Sequence, residues 1–469
     1  MILWNEKTAA EATGGKAQGR WRASRVEIDS RRIKPGDLFV ALKGERFDGH
    51  AYVKDALAKG AVAAVVHATS PGWGGVATRS GAGGGCLIVS DTFKALEDLG
   101  RFARTRSRAK IVGVTGSVGK TGAKEMLRLA LGAHGETFAS GGNFNNHIGT
   151  PLSLANLPEN AAFAVFEMGM NHAGEIAHLT KMVRPGIAAI TNIEAVHMEF
   201  FASLDAIACA KAEIFEGMER DGIAVLNRDN AAYVPLAARA RERGLAVVTF
   251  GEHAEADCRL LEYRAGRIKA GIHGKPLSYA LAAMGRHWAA TSLLTLAATH
   301  ALGLDDEKTA GALAGFSEPE GRGRVLSLAG GITLVDDSYN ASPPAMRAAF
   351  AKTAELWENS GRKGRKLAAL GDMLELGKDA PSLHVGLAAD IVQSGFDGVF
   401  TAGALMQHLH KALPQRLRAG HTAEAIQLLP LLSKELQAGD ILLVKGSHGS
   451  GMHNLAKALG TTGEPTHAL

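Results

Sequence analysis

Cysteine is scarce: Cys86, Cys209 and Cys258 are the only three in 469 residues. They lie far apart, with no CxxC pair and no even framework, which excludes a disulfide scaffold and predicts a reducing, cytosolic compartment. Aromatic residues make up 6% of the chain. No stripe of aromatics is interleaved with the short basic runs at Arg20–Arg32 and Arg362–Lys366, which argues against a nucleic-acid partner. Long apolar runs are also missing. The start, Met1 to Lys7, carries too short an apolar stretch for a signal peptide. The most apolar stretch, Trp288 to Leu304, is interrupted by Thr, Ser and His, and reads as a buried core helix instead of a membrane span. A soluble, intracellular protein is expected.

What the chain does contain is the composition of a globular protein, 46% hydrophobic and 21% charged. Its length predicts about three domains. Glycine is abundant, 57 residues, well above the roughly 7% of average usage, which suits an α/β protein with many tight strand-to-helix turns. The net charge of +5 and pI near 9.0 admit anionic partners, including phosphorylated small molecules.

Three regions follow from the pattern. Residues 1–107 form a small α/β unit, with strand-like runs at Leu38–Leu42, Ala61–Val66 and Cys86–Val89 and helices near Tyr52–Lys59 and Thr92–Arg106. The glycine-rich segment Pro71–Gly85 reads as a mobile loop. Residues 108–317 alternate strand and helix, with strands at Ile111–Thr115, Phe163–Glu167, Ile187–Thr191, Ile223–Leu226 and Ala246–Phe250. That alternation predicts a mostly parallel sheet covered on both faces. Residues 318–469 repeat the alternation in a second α/β sheet, with strands at Ile332–Val335, Leu367–Leu370, Gly398–Phe400 and Ile441–Val444.

The strongest local signal is Gly113-Val-Thr-Gly-Ser-Val-Gly-Lys-Thr121, an apolar strand entering a glycine loop and then a helix. Such a loop wraps phosphates with its backbone amides at a positive helix N-terminus. Lys120 can reach terminal phosphates, and Thr121 can offer a hydroxyl to Mg²⁺. The strict spacing asks for glycine where Val114 stands, and Gly116 takes the flexible position instead. Glu167 closes a parallel strand, where an acid faces the ligand crevice of an open α/β sheet. His197 leaves the next strand on the same edge. Lys211 falls within the apolar stripe of a helix predicted over Ser203–Glu219. It either snorkels to water or loses its charge, and a neutral amine can take up CO₂ as a carbamate. In the third region, Arg324 suits a phosphoryl group and Asp336 and Asp337 suit ribose or a metal. Val444-Lys-Gly-Ser-His-Gly-Ser450 is a further strand feeding a polar turn.

Taken with Asp29-Ser-Arg31, Phe47-Asp-Gly-His50, Asn143-Phe-Asn-Asn-His-Ile-Gly-Thr-Pro151, Glu167-Met-Gly-Met-Asn171, Ala210-Lys-Ala-Glu-Ile-Phe215, Asp336-Asp-Ser-Tyr-Asn-Ala-Ser-Pro343 and Leu370-Gly-Asp-Met373, the chain resembles the Mur ligases of peptidoglycan synthesis over nearly its whole length. The last motifs resemble most the branch that joins D-alanyl-D-alanine to UDP-N-acetylmuramoyl-tripeptide. The resemblance implies an α/β protein of three domains: a small N-terminal α/β domain, a central P-loop domain with a mostly parallel sheet, and a C-terminal Rossmann-like domain. It implies an ATP-dependent, cytoplasmic amide ligase that works through an acyl phosphate, as a monomer.

By the same resemblance, Thr115, Gly116, Ser117, Val118, Gly119, Lys120, Thr121, Asn192, Arg324 and Asp337 bind ATP. Thr121 and Glu167 hold one Mg²⁺, and His197 with a carbamylated Lys211 holds a second. Ser30, Arg31, Phe47 and Asp48 bind the UDP end, while Asn145, Asn146 and Thr150 line the muramoyl-peptide channel. Two departures stand out. Gly285-Arg-His-Trp-Ala-Ala-Thr291 has Trp288 and Thr291 where the family usually has asparagines beside adenine, and His448 replaces a frequent arginine. A sister ligase adding one amino acid, and a P-loop NTPase without ligation, remain the alternatives.

Overall fold

The computed structural model describes all residues except 46, 70–83, 143, 196–198, 202, 362 and 461–469. The first sheet has five strands, in the order Lys16–Gln18, Gly85–Val89, Ala63–His67, Asp37–Val40, Arg25–Glu27. All but the first pair are parallel. Helix Thr92–Arg106 is capped by Asp91, whose carboxylate accepts from the Phe93 and Lys94 amides. It crosses helix Gly149–Ala155 of the next unit at Gly100, where a Cβ would lie 3.0 Å from the Pro151 carbonyl oxygen. The Trp4 indole donates to the Ala155 carbonyl at 2.8 Å, and Asn156 brackets the Val26 backbone at 2.8 and 2.9 Å. The first unit is thereby fixed to the second.

The central sheet has nine strands. From Thr137–Ala139 at one edge to Cys258–Arg264 they run parallel, and the hairpins through Arg267–Ile272 and Lys275–Ala280 add an antiparallel extension. Lys110–Thr115, first of the parallel strands in sequence, sits inside the sheet between Phe163–Glu167 and Ile187–Ile190. The order therefore reverses beside it, and a crevice opens at the carboxyl ends of these strands. These inner strands are apolar between their ends because helices cover both faces. The last sheet has six strands, antiparallel only between Arg324–Leu328 and Ile332–Asp337.

Helix 203–219 is corrected: the α-helix ends at Ala212 and continues as a 3-10 turn over Glu213–Gly217. The Thr180 hydroxyl takes the Ile214 carbonyl at 2.7 Å, and Gly217 packs so tightly that a Cβ would lie 2.1 Å from the Thr180 carbonyl oxygen. In the segment expected to be a loop at 71–85, residues 71–83 lie outside the described residues. Gly85 opens a strand, and a Cβ there would meet Trp21 at 2.0 Å. Trp288–Leu304 falls mainly on the buried helix Arg286–Ala301, and no described helix is long and apolar enough to cross a membrane.

Candidate active site between the central and last sheets

The apolar strand Lys110–Thr115 delivers the chain to Gly116, whose φ is +146 and whose Cβ would lie 2.0 Å from the Thr191 hydroxyl. Only glycine fits there. The loop is pinned from the neighbouring strand end: the Ser117 amide donates to Asn192 O at 2.8 Å and the Thr191 hydroxyl to Val118 O at 2.5 Å. Gly119, in the left-handed region, starts helix Lys120–Gly132 with no side-chain cap. The helix N-terminus opens onto a crevice of about 590 Å³ lined by residues 117–122, a setting for phosphate.

Lys120 is half-buried and folds back over the loop, donating to the Gly116 and Ser117 carbonyls at 2.8 and 3.2 Å. Burial pushes its ammonium below the usual range, with Glu167 opposing and Arg322 adding to the shift. Glu167 is 2% exposed and accepts from Thr121 at 2.9 Å and from Asn145 at 2.7 Å. On the floor, Asn192 donates to Glu194 at 2.5 Å and accepts from Asn230.

The last sheet supplies the opposite wall. Arg322 lies 4.0 Å over the Tyr339 ring and within 3.5 Å of the Thr121 hydroxyl. Lys445 donates to Asp337 at 2.6 Å and to the Asn340 carbonyl at 2.9 Å. Lys352 donates to Glu318 and to the Gly323 carbonyl at 2.7 and 2.5 Å, holding the backbone beside Arg322. Desolvation between the crevice walls pushes the His287 imidazole down to about 3, with Lys352 and Lys445 adding to the shift.

The structure brings Gly119, Ser117, Val118, Lys120, Thr121, Asn145, Glu167, Asn192 and Asp337 to this crevice, along with Trp288 and Thr291. Other expected residues lie off this crevice. Arg324 is exposed on its strand, away from the crevice, and Arg322, two residues earlier across the left-handed Gly323, faces it. The Thr115 side chain is buried under the loop, donating to Met168 O at 2.8 Å. Asn146 spends its side-chain oxygen on the Ile148 and Gly149 amides, and Thr150 is buried within a helix. Neither lines the crevice.

Lys211 is 1% exposed and does not line the crevice. Burial, then Lys120, push its amine well below the usual lysine range, with Glu167, Glu213 and Glu175 opposing. His197 lies outside the described residues. Ser30, Arg31, Phe47 and Asp48 are on the first unit, remote from this crevice: Arg31 pairs with Asp29 at 2.7 Å, Asp48 with His50 at 2.6 Å, the Ser30 carbonyl accepts from Lys59, and Phe47 is 71% exposed. Sequence reasoning missed Arg322, Tyr339, Lys352 and Lys445. Lys445 stands in a motif that was singled out, and Arg322 beside one, but neither motif says which side chain turns inward.

A phosphate loop on one α/β sheet, an acid beside its threonine and cations from a second sheet define a P-loop enzyme of phosphoryl transfer. The comparisons narrow this. The Mur ligase family catalytic domain matches residues 22–79, the Mur ligase middle domain 114–299 and the Mur ligase glutamate ligase domain 321–448. The UDP-N-acetylmuramoyl-tripeptide–D-alanyl-D-alanine ligase of Rickettsia prowazekii is 32% identical, covering 96% of this chain and 98% of its own. That of Escherichia coli is 34% identical, covering 93% and 94%. Among solved structures, MurF from Acinetobacter baumannii aligns with a TM-score of 0.82 at 28% identity, over 98% of this chain and 99% of its own. MurF from Thermotoga maritima in complex with ADP aligns at 0.74 and 26%, over 93% and 97%. The chain belongs to the Mur ligase family, and it is an ATP-dependent amide ligase.

Proposed function

We propose that the enzyme joins D-alanyl-D-alanine to UDP-N-acetylmuramoyl-tripeptide in the cytoplasm, acting as a monomer. The relatives at 32% and 34% identity carry that name. The observation that carries the chemistry is the convergence of Lys120, the Thr121–Glu167 pair and Arg322 on one crevice. ATP gives its γ-phosphoryl group to the terminal carboxylate of the tripeptide, forming an acyl phosphate and ADP. The dipeptide amine then attacks the acyl carbon, loses a proton and expels phosphate. Lys120 and Arg322 neutralise charge on the transferring group.

The residues fit Mg²⁺. No group of three His, Cys, Asp or Glu side chains could cage a metal among the described residues, but Mg²⁺ is usually held by one or two carboxylates with phosphates and water. Thr121 and Glu167 supply a hydroxyl and a carboxylate 2.9 Å apart at the phosphate loop. A bound ion would draw charge from the phosphates there. Lys211 fits a carbamate, because burial disfavours its charged form and a neutral amine is nucleophilic toward CO₂. His197 and that carbamate would serve a second ion. The three units divide the work: residues 1–107 for the UDP end, 108–317 for ATP, and 318–469 for closing the nucleotide site and holding the amine. Mass analysis of the product tests the reading. It requires the tripeptide substrate to gain one dipeptide less one water, and a gain of a single amino acid would assign a sister reaction.

A further inference from the structure

Tyr263 lies outside the crevice, on strand Cys258–Arg264, where the antiparallel extension of the central sheet begins. Its phenol oxygen meets a residue tied to each of the two helices that wall the nucleotide crevice. The Gly285 amide donates to it at 2.7 Å, and the hydroxyl donates to Glu355 Oε1 at 2.8 Å. Burial pushes the phenol up to about 12, so it keeps its proton at neutral pH.

Gly285 directly precedes helix Arg286–Ala301. With φ at +114, and a Cβ position 2.7 Å from the His287 ring, it admits no larger residue without strain. Fixing this backbone fixes the first turns of the helix, from which His287, Trp288 and Thr291 line the crevice. Glu355 belongs to helix Pro343–Asn359 of the last unit, whose Pro344, Ala348 and Lys352 line the facing wall. Lys352, one turn before Glu355, also holds the Gly323 carbonyl beside Arg322.

We propose that Tyr263 is a positioning residue for ATP: its hydroxyl couples the central-unit helix to the last-unit helix and so sets the spacing of the two walls that grip the nucleotide. The inference rests on ATP occupying this crevice and is independent of which amine is ligated. Removing one hydrogen bond of this kind corresponds to roughly a 3- to 10-fold change in an equilibrium constant.

The test is the Kd of a non-hydrolysable ATP analogue, measured by calorimetry on the full-length enzyme. Tyr263→Phe keeps the ring and loses the hydroxyl, and it should weaken the analogue about 3- to 10-fold while leaving the Kd of the UDP-linked substrate unchanged. Glu355→Ala should match it, Glu355→Gln, which keeps an acceptor oxygen, should stay near wild type, and the double variant Tyr263→Phe/Glu355→Ala should be no worse than either single one. Equal weakening of both ligands, additive single effects, or an unchanged analogue Kd in Tyr263→Phe would overturn the proposal. Wild-type enzyme that fails to bind the analogue would instead overturn the assignment of the crevice to ATP.

Discussion

Arg322 stacks 4.0 Å over the Tyr339 ring and reaches to within 3.5 Å of the Thr121 hydroxyl, so a cation of the last unit stands at the phosphate loop of the central one. Arg324 is exposed two residues later. Replacing Arg322 by alanine should lower kcat by roughly 10²–10³-fold, as expected for a group that meets charge developing in transfer. Arg324→Ala should stay within about twofold of wild type, since exposed substitutions away from a site change little. Steady-state phosphate release separates the two. A large loss in the Arg324 variant with none in the Arg322 variant would reverse the assignment.

Glu167 is held by Thr121 and Asn145 and is almost fully buried. Glu167→Gln keeps the shape and removes the charge. Its kcat should fall by roughly 10²-fold or more, and the Mg²⁺ concentration for half-maximal rate should rise. Titrating Mg²⁺ in the release assay checks this, and an unchanged metal requirement would remove Glu167 from the ion site.

Gly116→Ala places a methyl group 2.0 Å from the Thr191 hydroxyl at φ +146. Backbone strain alone costs about 1–3 kcal/mol, and the loop must move away from Thr191 as well. Thermal unfolding should show a lowered midpoint, and ADP should no longer stabilise the variant.

Desolvation between the crevice walls, with Lys352 and Lys445 nearby, lowers the His287 imidazole to about 3. Between about 3 and its ordinary value near 6.5, the unfolded chain carries a proton that the folded one excludes. Stability therefore falls as pH drops through that window. His287→Gln should flatten this part of the profile in denaturant titrations at pH 6.5 and 4.5. An identical slope in both proteins would count against a neutral imidazole at the crevice wall.

Lys211→Ala should be nearly inactive and regain part of its rate with a short-chain carboxylate, which would stand in for the proposed carbamate. Full activity without rescue would eliminate the carbamate.

Strands with unbroken apolar runs, such as Phe163–Glu167 and Ile441–Val444, were legible because burial on both faces leaves no other composition open to them. Edge strands were not. Lys275–Ala280 and Arg418–Thr422 are short and largely solvated, and their polarity reads as loop. The phosphate loop was legible since its glycines answer to local backbone demands, which sequence records. The facing wall was half legible. Asp337 and its motif stood out, while Arg322 and Lys445 turn inward only through the register of a sheet and the left-handed Gly323, which are tertiary facts. The 203–219 helix was read too long because its end is set by Thr180, a partner from another helix.

The most direct test of the account is phosphate release from ATP with each substrate supplied alone and with both together. Release should require UDP-N-acetylmuramoyl-tripeptide and D-alanyl-D-alanine at the same time. Brisk release with neither, or equal release when a single amino acid replaces the dipeptide, would contradict it.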